Sequence, residues 1–195
     1  MIVLTSAAQL AAAGETLVEV RKLDPTILVD VRYATENNFM KEKMYPVGRV
    51  FLRPEAAARL VRVQKALRAR GYGLKIFDGY RPLSIQKKMY AKFPNDDYVM
   101  NPAKGSNHNR GAAVDVALVD ANGRELEMPS GYDEFSERAH VAYAGGAPEQ
   151  TEHRRILQEA MKAEGFLPIR TEWWHFDDPD KASYSLLDIP IETLS

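Results

Sequence analysis

The chain is predicted to be a single α+β domain, spanning residues 1–195, with a central, mostly antiparallel sheet flanked by helices. Three observations predict it. Strand-like and helix-like segments are mixed along the chain without a regular strand–helix–strand rhythm. No glycine-rich dinucleotide fingerprint is present. The length of 195 residues suits one elaborated domain with a sizeable core.

The elements follow in order. Thr16–Val20 and Ile27–Val31 read as short strands, and a long polar segment runs from Ala34 to Arg49. Pro54 to Arg70 reads as a helix. Pro54 suits its first turn, Ala56, Leu60, Val63 and Leu67 share one face, and Gly71 can stop it. Leu74–Phe77 is a strand that ends in the turn-like run Asp78-Gly79-Tyr80-Arg81-Pro82. Leu83 to Phe93 is a second helix, with Ile85, Met89 and Phe93 on one side. A loop from Asn95 to Arg110 leads into a Gly111–Val119 strand. Asn122-Gly123 and Pro129-Ser130-Gly131 are turn signals, and a hairpin is expected there. Glu152 to Glu164 reads as a third helix, closed by Gly165, with Ile156, Ala160 and Ala163 on its apolar face. The last strand is Ile169 to Phe176, ended by Asp177-Asp178-Pro179.

Charge and composition narrow the function. There are 26 basic and 27 acidic side chains, for a net charge of −1. No Lys/Arg block stands out, so neither nucleic acid nor an anionic membrane is expected as a partner. No apolar stretch approaches the ~20 residues that span a bilayer. The first twenty residues lack a basic start, and Thr5, Ser6 and Gln9 break their apolar run. They make a poor signal peptide. A cytoplasmic protein is expected, or a periplasmic one if the chain is a mature form. Cysteine is absent, so disulfides and thiolate metal sites are excluded. Any metal must be held by histidine and carboxylate. The sequence assigns no oligomeric state.

Chemistry concentrates in two places. In Gly105–Val119, a glycine-flanked loop holds His108, and an apolar strand holds Asp115. An aspartate in such a strand is costly unless a cation or a donor answers it. Near the other end, Glu172 precedes His175 by three residues. A zinc hydrolase needs two histidines and a carboxylate as ligands, an open position for water, and a nearby non-ligand carboxylate as base. His108, Asp115, His175 and Glu172 supply that set. Alternatives stay open. His108 could serve a backbone carbonyl, Asp115 could pair with an arginine, and Glu172 and His175 could cap an edge strand. His140 and His153 read as solvated surface residues. Asp78 and Arg81 are either a turn-holding ion pair or an arginine aimed at the site, where it would stabilise an oxyanion. Trp173, Trp174, Tyr80 and Tyr132 could be core or pocket.

Taken together, these stretches resemble a known group. Ser106 to Asp115 has the form Ser-x-His-x-x-Gly-x-Ala-x-Asp, and Glu172 to His175 has the form Glu-x-x-His. Both resemble the Hedgehog/D,D-peptidase group of zinc metallopeptidases. Asp30–Phe39, Asp78–Pro82, Met128–Phe135 and the tryptophan pair before His175 look like its D-alanyl-D-alanine dipeptidases of the vancomycin-resistance type. The matches run in order from Asp30 to Phe176. Met128–Phe135 departs from the Met-Gly-Thr-x-Phe-Asp form of that type but keeps Asp133.

The resemblance implies one Zn²⁺ per chain, held by His108, Asp115 and His175. It implies Glu172 as catalytic base and acid, and Arg81 as the group that stabilises the transition state. Tyr33, Ser106 and Asp133 fall where the family shapes a pocket for a small dipeptide, with Asp133 facing the ammonium. The implied reaction is hydrolysis of D-Ala-D-Ala to two D-alanines. The competing readings are a peptidoglycan D,D-carboxypeptidase or endopeptidase, a broader dipeptidase, and a non-enzymatic zinc module that binds cell-wall peptides.

Overall fold

The computed structural model describes residues 17–96 and 98–195. Its main sheet has five strands in the order β2-β4-β5-β7-β6, formed by β2 (Leu28–Val29), β4 (Tyr72–Asp78), β5 (Ala113–Asp120), β6 (Leu167–Pro168) and β7 (His175–Asp177). Only β2 and β4 run parallel, and the other neighbours are antiparallel, as expected. A separate antiparallel pair joins β1 (Val18–Glu19) to β3 (Phe51–Leu52). The helices are α1 (Val20–Leu23), α2 (Pro54–Arg68), α3 (Leu83–Lys92) and α4 (Pro148–Ala163).

β5 sits in the middle and is buried from Ala113 to Val119. A strand covered on both faces reads as a continuous apolar run, which is why its sequence shows little alternation. Helices α2 and α4 pack against each other, α2 also against β4 and α4 against β5. Ala56, Leu60, Val63 and Leu67 of α2 are all buried, as their spacing predicts. On α4 the apolar face is rotated from the expected one. Ile156, Leu157, Ala160 and Met161 are buried, whereas Ala163 is exposed.

Other boundaries move for local reasons. Thr16 lies outside the described residues, and the expected first strand shrinks to Val18–Glu19 before one helical turn. Ile27–Val31 keeps only two ladder residues, Leu28 and Val29. Helix α4 starts at Pro148, one turn before Glu152. Proline fits a first helical turn, where its missing N–H is not needed, and Gln150 Oε1 accepts from Ala147 N at 3.0 Å. The Asn122-Gly123 turn closes a minimal hairpin: Asp120 N donates to Arg124 O, and Val119 faces Glu125.

The strand expected over Ile169–Phe176 is corrected. Two short strands, β6 and β7, form an antiparallel hairpin, with residues 169–174 as the connection. Trp174 O still accepts from Val116 N of β5, but the rest of the connecting backbone finds partners outside the sheet. Arg170 O accepts from Val141 N, and Trp173 O accepts from the Gln158 side chain. With those carbonyls satisfied elsewhere, the segment has no need of a ladder. The strand also continues through Asp177 rather than ending before it.

The register places three polar residues in a row. Asp78 of β4 faces Asp115 of β5, after a bulge between Ile76 and Asp78, and Asp115 faces His175 of β7. That end of the sheet is where the chemistry-bearing residues gather.

Candidate active site

His108 reaches this sheet end from a short 3₁₀ turn, His108–Arg110, closed by Gly111 in the left-handed region at φ 67°. Glycine is suited to that conformation. The turn is fastened to the Gly79–Arg81 segment. Arg81 N donates to His108 O at 3.1 Å, and Asn109 Nδ2 donates to Arg81 O at 2.9 Å. Ser106 Oγ accepts from His108 N at 3.2 Å.

Three acceptor atoms then meet. His108 Nε2 lies 3.2 Å from His175 Nδ1 and 3.4 Å from Asp115 Oδ1, and His175 Nδ1 lies 3.1 Å from Asp115 Oδ1. All three residues are buried. The remaining polar atom of each is occupied. His108 Nδ1 donates to Gly79 O at 2.7 Å, His175 Nε2 donates to Asp177 Oδ1 at 2.9 Å, and Tyr132 Oη donates to Asp115 Oδ2 at 3.0 Å. These outer bonds leave a lone pair on each inward-facing ring nitrogen.

That arrangement fits a metal ion. Zinc bonds of ~2.0–2.1 Å at tetrahedral angles space the ligand atoms by about 3.3 Å, close to the three distances here. Two imidazole nitrogens and a carboxylate oxygen are also a donor set that zinc takes. Charge agrees. Burial works against ionised Asp115, yet His108 and His175 outweigh it and hold the carboxyl below the usual range. Burial likewise opposes a charged His175, yet Asp115 and Asp177 raise its affinity for a proton. The site calls for a positive charge at its centre.

Glu172 stands beside the triangle, with Oε2 3.9 Å from His175 Nδ1. Burial pushes its carboxyl up to about 7, His175 pulls against this, and Asp115 adds to it. Arg81 is buried and held by Asp78, with Nε and Nη2 donating to Oδ2 at 3.1 and 2.7 Å and Nη1 donating to Gln86 Oε1 at 2.8 Å. Burial opposes its charge, but Asp78 keeps it fully protonated. Arg81 thus forms the expected ion pair and also lines the cavity beside the triangle.

The cavity has a volume of about 330 Å³, at the small end of the range for small-molecule sites. Tyr33, Ser106 and Asp133 all line it. Tyr33 Oη donates to both Asp133 oxygens at 3.2 and 3.1 Å. Asp133 adopts φ 58°, uncommon outside glycine but tolerated by aspartate. Burial, reinforced by Asp115, pushes its carboxyl well above the ordinary range. A cation beside Asp133 would favour its ionised form.

Of the four aromatic candidates, Trp174 lines the cavity and Tyr132 binds Asp115. Trp173 is core, donating to Ser130 Oγ, and Tyr80 Oη is tied to Ile189. His140 and His153 stay away from the triangle, and His153 Nδ1 meets Glu127 O. Sequence reasoning missed Asp177 and Lys181, and the cavity's aromatic side, Phe39, Tyr98 and Phe135. Their separation along the chain left no local signal.

A family model described as D-ala-D-ala dipeptidase, of the M15 peptidases, matches residues 13–192. A D-alanyl-D-alanine dipeptidase of Escherichia coli (strain K12) is 34% identical over 171 residues, covering 88% of this chain and 89% of that protein. One of Enterococcus faecium is 32% identical over 189 residues, covering 84% and 92%. A solved vancomycin-resistance D,D-pentapeptidase in complex with Zn(II) is 19% identical, with a TM-score of 0.45, covering 66% of this chain and 73% of that one.

Proposed function

We propose, for a chain that belongs to the D-Ala-D-Ala dipeptidase family of M15 peptidases, that it holds one zinc ion at His108, Asp115 and His175 and hydrolyses D-Ala-D-Ala to two D-alanines. The observation that carries this reading is the triangle of three buried acceptor atoms, 3.1 to 3.4 Å apart, with no donor hydrogen between them once the outer bonds are made. Bound there, zinc would supply Lewis acidity, acidifying a water and polarising the scissile carbonyl.

The chain's own residues do the rest. Ionised Glu172 takes a proton from the attacking water at its carboxylate. The water oxygen bonds to the carbonyl carbon, and Arg81, kept charged by Asp78, faces the negative charge that builds on the carbonyl oxygen. The C–N bond then breaks, and Glu172 returns the proton to the leaving nitrogen. Asp133, with Tyr33 fixing its carboxylate, receives the substrate ammonium. Asp133 is half-buried, accepts from Tyr33 and makes no ion pair among the described residues, which supports a substrate with a free amino end and so favours a dipeptide over a wall peptide. Ser106 lines the same cavity as a polar contact for the substrate.

The test is to offer the zinc-loaded protein D-Ala-D-Ala, L-Ala-L-Ala and a pentapeptide ending in D-Ala-D-Ala, and to measure released alanine. Release from D-Ala-D-Ala alone is expected. Release from the pentapeptide points to a wall carboxypeptidase, and release from none to a binding module. Glu172→Gln should retain zinc and lose at least ~10²-fold in rate.

A further inference from the structure

One side of the cavity is aromatic, and three separate segments build it. Phe39 comes from the polar segment after Tyr33, Tyr98 from the loop after α3, and Phe135 from the stretch after Pro129-Ser130-Gly131. Tyr98 stacks on Phe135 at 4.5 Å between ring centroids and 21° between planes. Phe39 meets Phe135 edge-on at 5.1 Å. Behind them Phe93, just past α3, contacts Phe39 at 5.7 Å and Phe135 at 6.0 Å. Phe39 and Phe135 each meet three other rings and give up those contacts on swinging away, whereas Tyr98 is held by Phe135.

Its position relative to the charged groups is informative. Phe39 packs edge-on against Tyr33 at 6.1 Å, and Tyr33 Oη binds Asp133. Asp133 in turn lies two residues before Phe135, on a left-handed backbone. The aromatic side is therefore the Asp133 side. Another part of the lining is polar: Asn107 Nδ2 and Lys181 Nζ both donate to Asp177, and all three residues line the cavity.

We propose that Phe39, Tyr98 and Phe135 form a wall that sets the size of the side chain on the substrate's amino-terminal residue. The inference rests on the dipeptidase reading above. An amino-terminal α-carbon carries both the ammonium and the side chain. With the ammonium at Asp133, the side chain is brought against the neighbouring rings. A methyl group fits, and a longer branched chain must displace a ring that three segments hold. The carboxyl-terminal residue lies beyond the scissile bond and does not meet this wall.

The experiment compares kcat/KM for D-Ala-D-Ala, D-Leu-D-Ala and D-Ala-D-Leu in the zinc-loaded parent, Phe135→Ala and Phe39→Leu, with melting curves to show that each is folded. Phe135→Ala should raise the ratio of D-Leu-D-Ala to D-Ala-D-Ala at least ~10-fold, while the ratio for D-Ala-D-Leu stays within about twofold. Phe39→Leu, the milder change, should shift the same ratio in the same direction. Because the readout is a ratio, a general loss of activity does not mimic it. Unmoved ratios in the folded variants, or a gain on D-Ala-D-Leu instead, overturn the wall alone while D-Ala-D-Ala is still cut. A parent that cuts none of the three overturns the dipeptidase reading, and the wall with it.

Discussion

An aspartate inside a buried strand is tolerable when something positive answers it, and here the answer is shared among several residues. Asp115 is one corner of the acceptor triangle, and Asp177 serves another corner from outside. Asp177 is buried, accepts from His175 Nε2 and from Asn107 Nδ2 on one oxygen, and accepts from Lys181 Nζ at 2.7 Å on the other. It keeps the proton of His175 on the outer nitrogen, so that Nδ1 faces inward with its lone pair. Asp177→Asn would still accept from the ring, but would lose the negative charge and turn an amide N–H₂ towards Lys181. Zinc affinity, measured by competition with a chromophoric chelator, should fall ~10- to 100-fold. An affinity within twofold of the parent would reduce Asp177 to a packing role. The contrast with sequence is instructive. His108, Asp115, Glu172 and His175 were legible because each is an unusual residue for its local pattern. Asp177 was not, because Asp177-Asp178-Pro179 reads as an ordinary strand ending, and its meaning comes from the register of β7 on β5.

At the scale of elements, the strand bearing Asp115 was readable because a run from Ala112 to Val119 that is apolar but for Asp115 has few other uses. Among the short pairings, β2 was read, as part of a longer Ile27–Val31 strand, whereas β6 was not. A two-residue strand such as β6 carries no periodicity of its own and exists because a neighbour offers a free edge. The turn after β4 is a further case. Its sequence shows a glycine, but not why one is required. A Cβ on Gly79 would lie 2.7 Å from Val50 Cγ1 and 3.0 Å from Phe51 O. The valine tip can yield, but Phe51 O is already bonded to Tyr80 N at 2.8 Å. The Gly79 peptide must therefore move, and its carbonyl is what orients His108. Gly79→Ala should destabilise the protein by ~1–3 kcal/mol and weaken zinc binding as well. Gly123→Ala is the control. It sits in a left-handed turn at the far end of β5, at φ 81°, and should lower the melting temperature with zinc affinity unchanged. Equal zinc affinities in the two variants would show that the close approach at Gly79 matters for packing alone.

At the scale of the whole molecule, the site is held by a part of the chain that carries no chemical motif. Residues 185–195 have almost no regular structure, yet they run back along the segments that flank the triangle. Leu187 N donates to Asn109 O at 2.8 Å, next to His108, and Leu83 N donates to Leu187 O at 3.1 Å, two residues after Arg81. Tyr80 Oη is bonded to both the carbonyl and the N–H of Ile189, and Ser84 N donates to Asp188 Oδ1 at 2.7 Å. Leu187 and Ile191 are buried in the core, and Arg49 Nη1 binds Leu194 O. No periodicity marks this strap, because it is shaped by the groove it fills, so sequence reasoning stopped at Pro179. Removing residues 186–195 would expose the carbonyls and N–H groups that the strap now pairs. It would also delete two buried side chains worth ~1.5–3 kcal/mol each. The melting temperature should drop on the order of 10 °C. If the strap also fixes the turn that carries His108, zinc affinity measured well below the new melting temperature should fall too, by roughly tenfold, as for the loss of an outer-shell support. Leu187→Ala separates the two effects. It removes the buried side chain and keeps the backbone bond to Asn109, so it should lower the melting temperature with little change in zinc affinity. A truncated protein that melts early yet binds zinc like its parent would mean that the 3₁₀ turn holds its own shape, through Asn109, Arg81 and Gly111, without the strap.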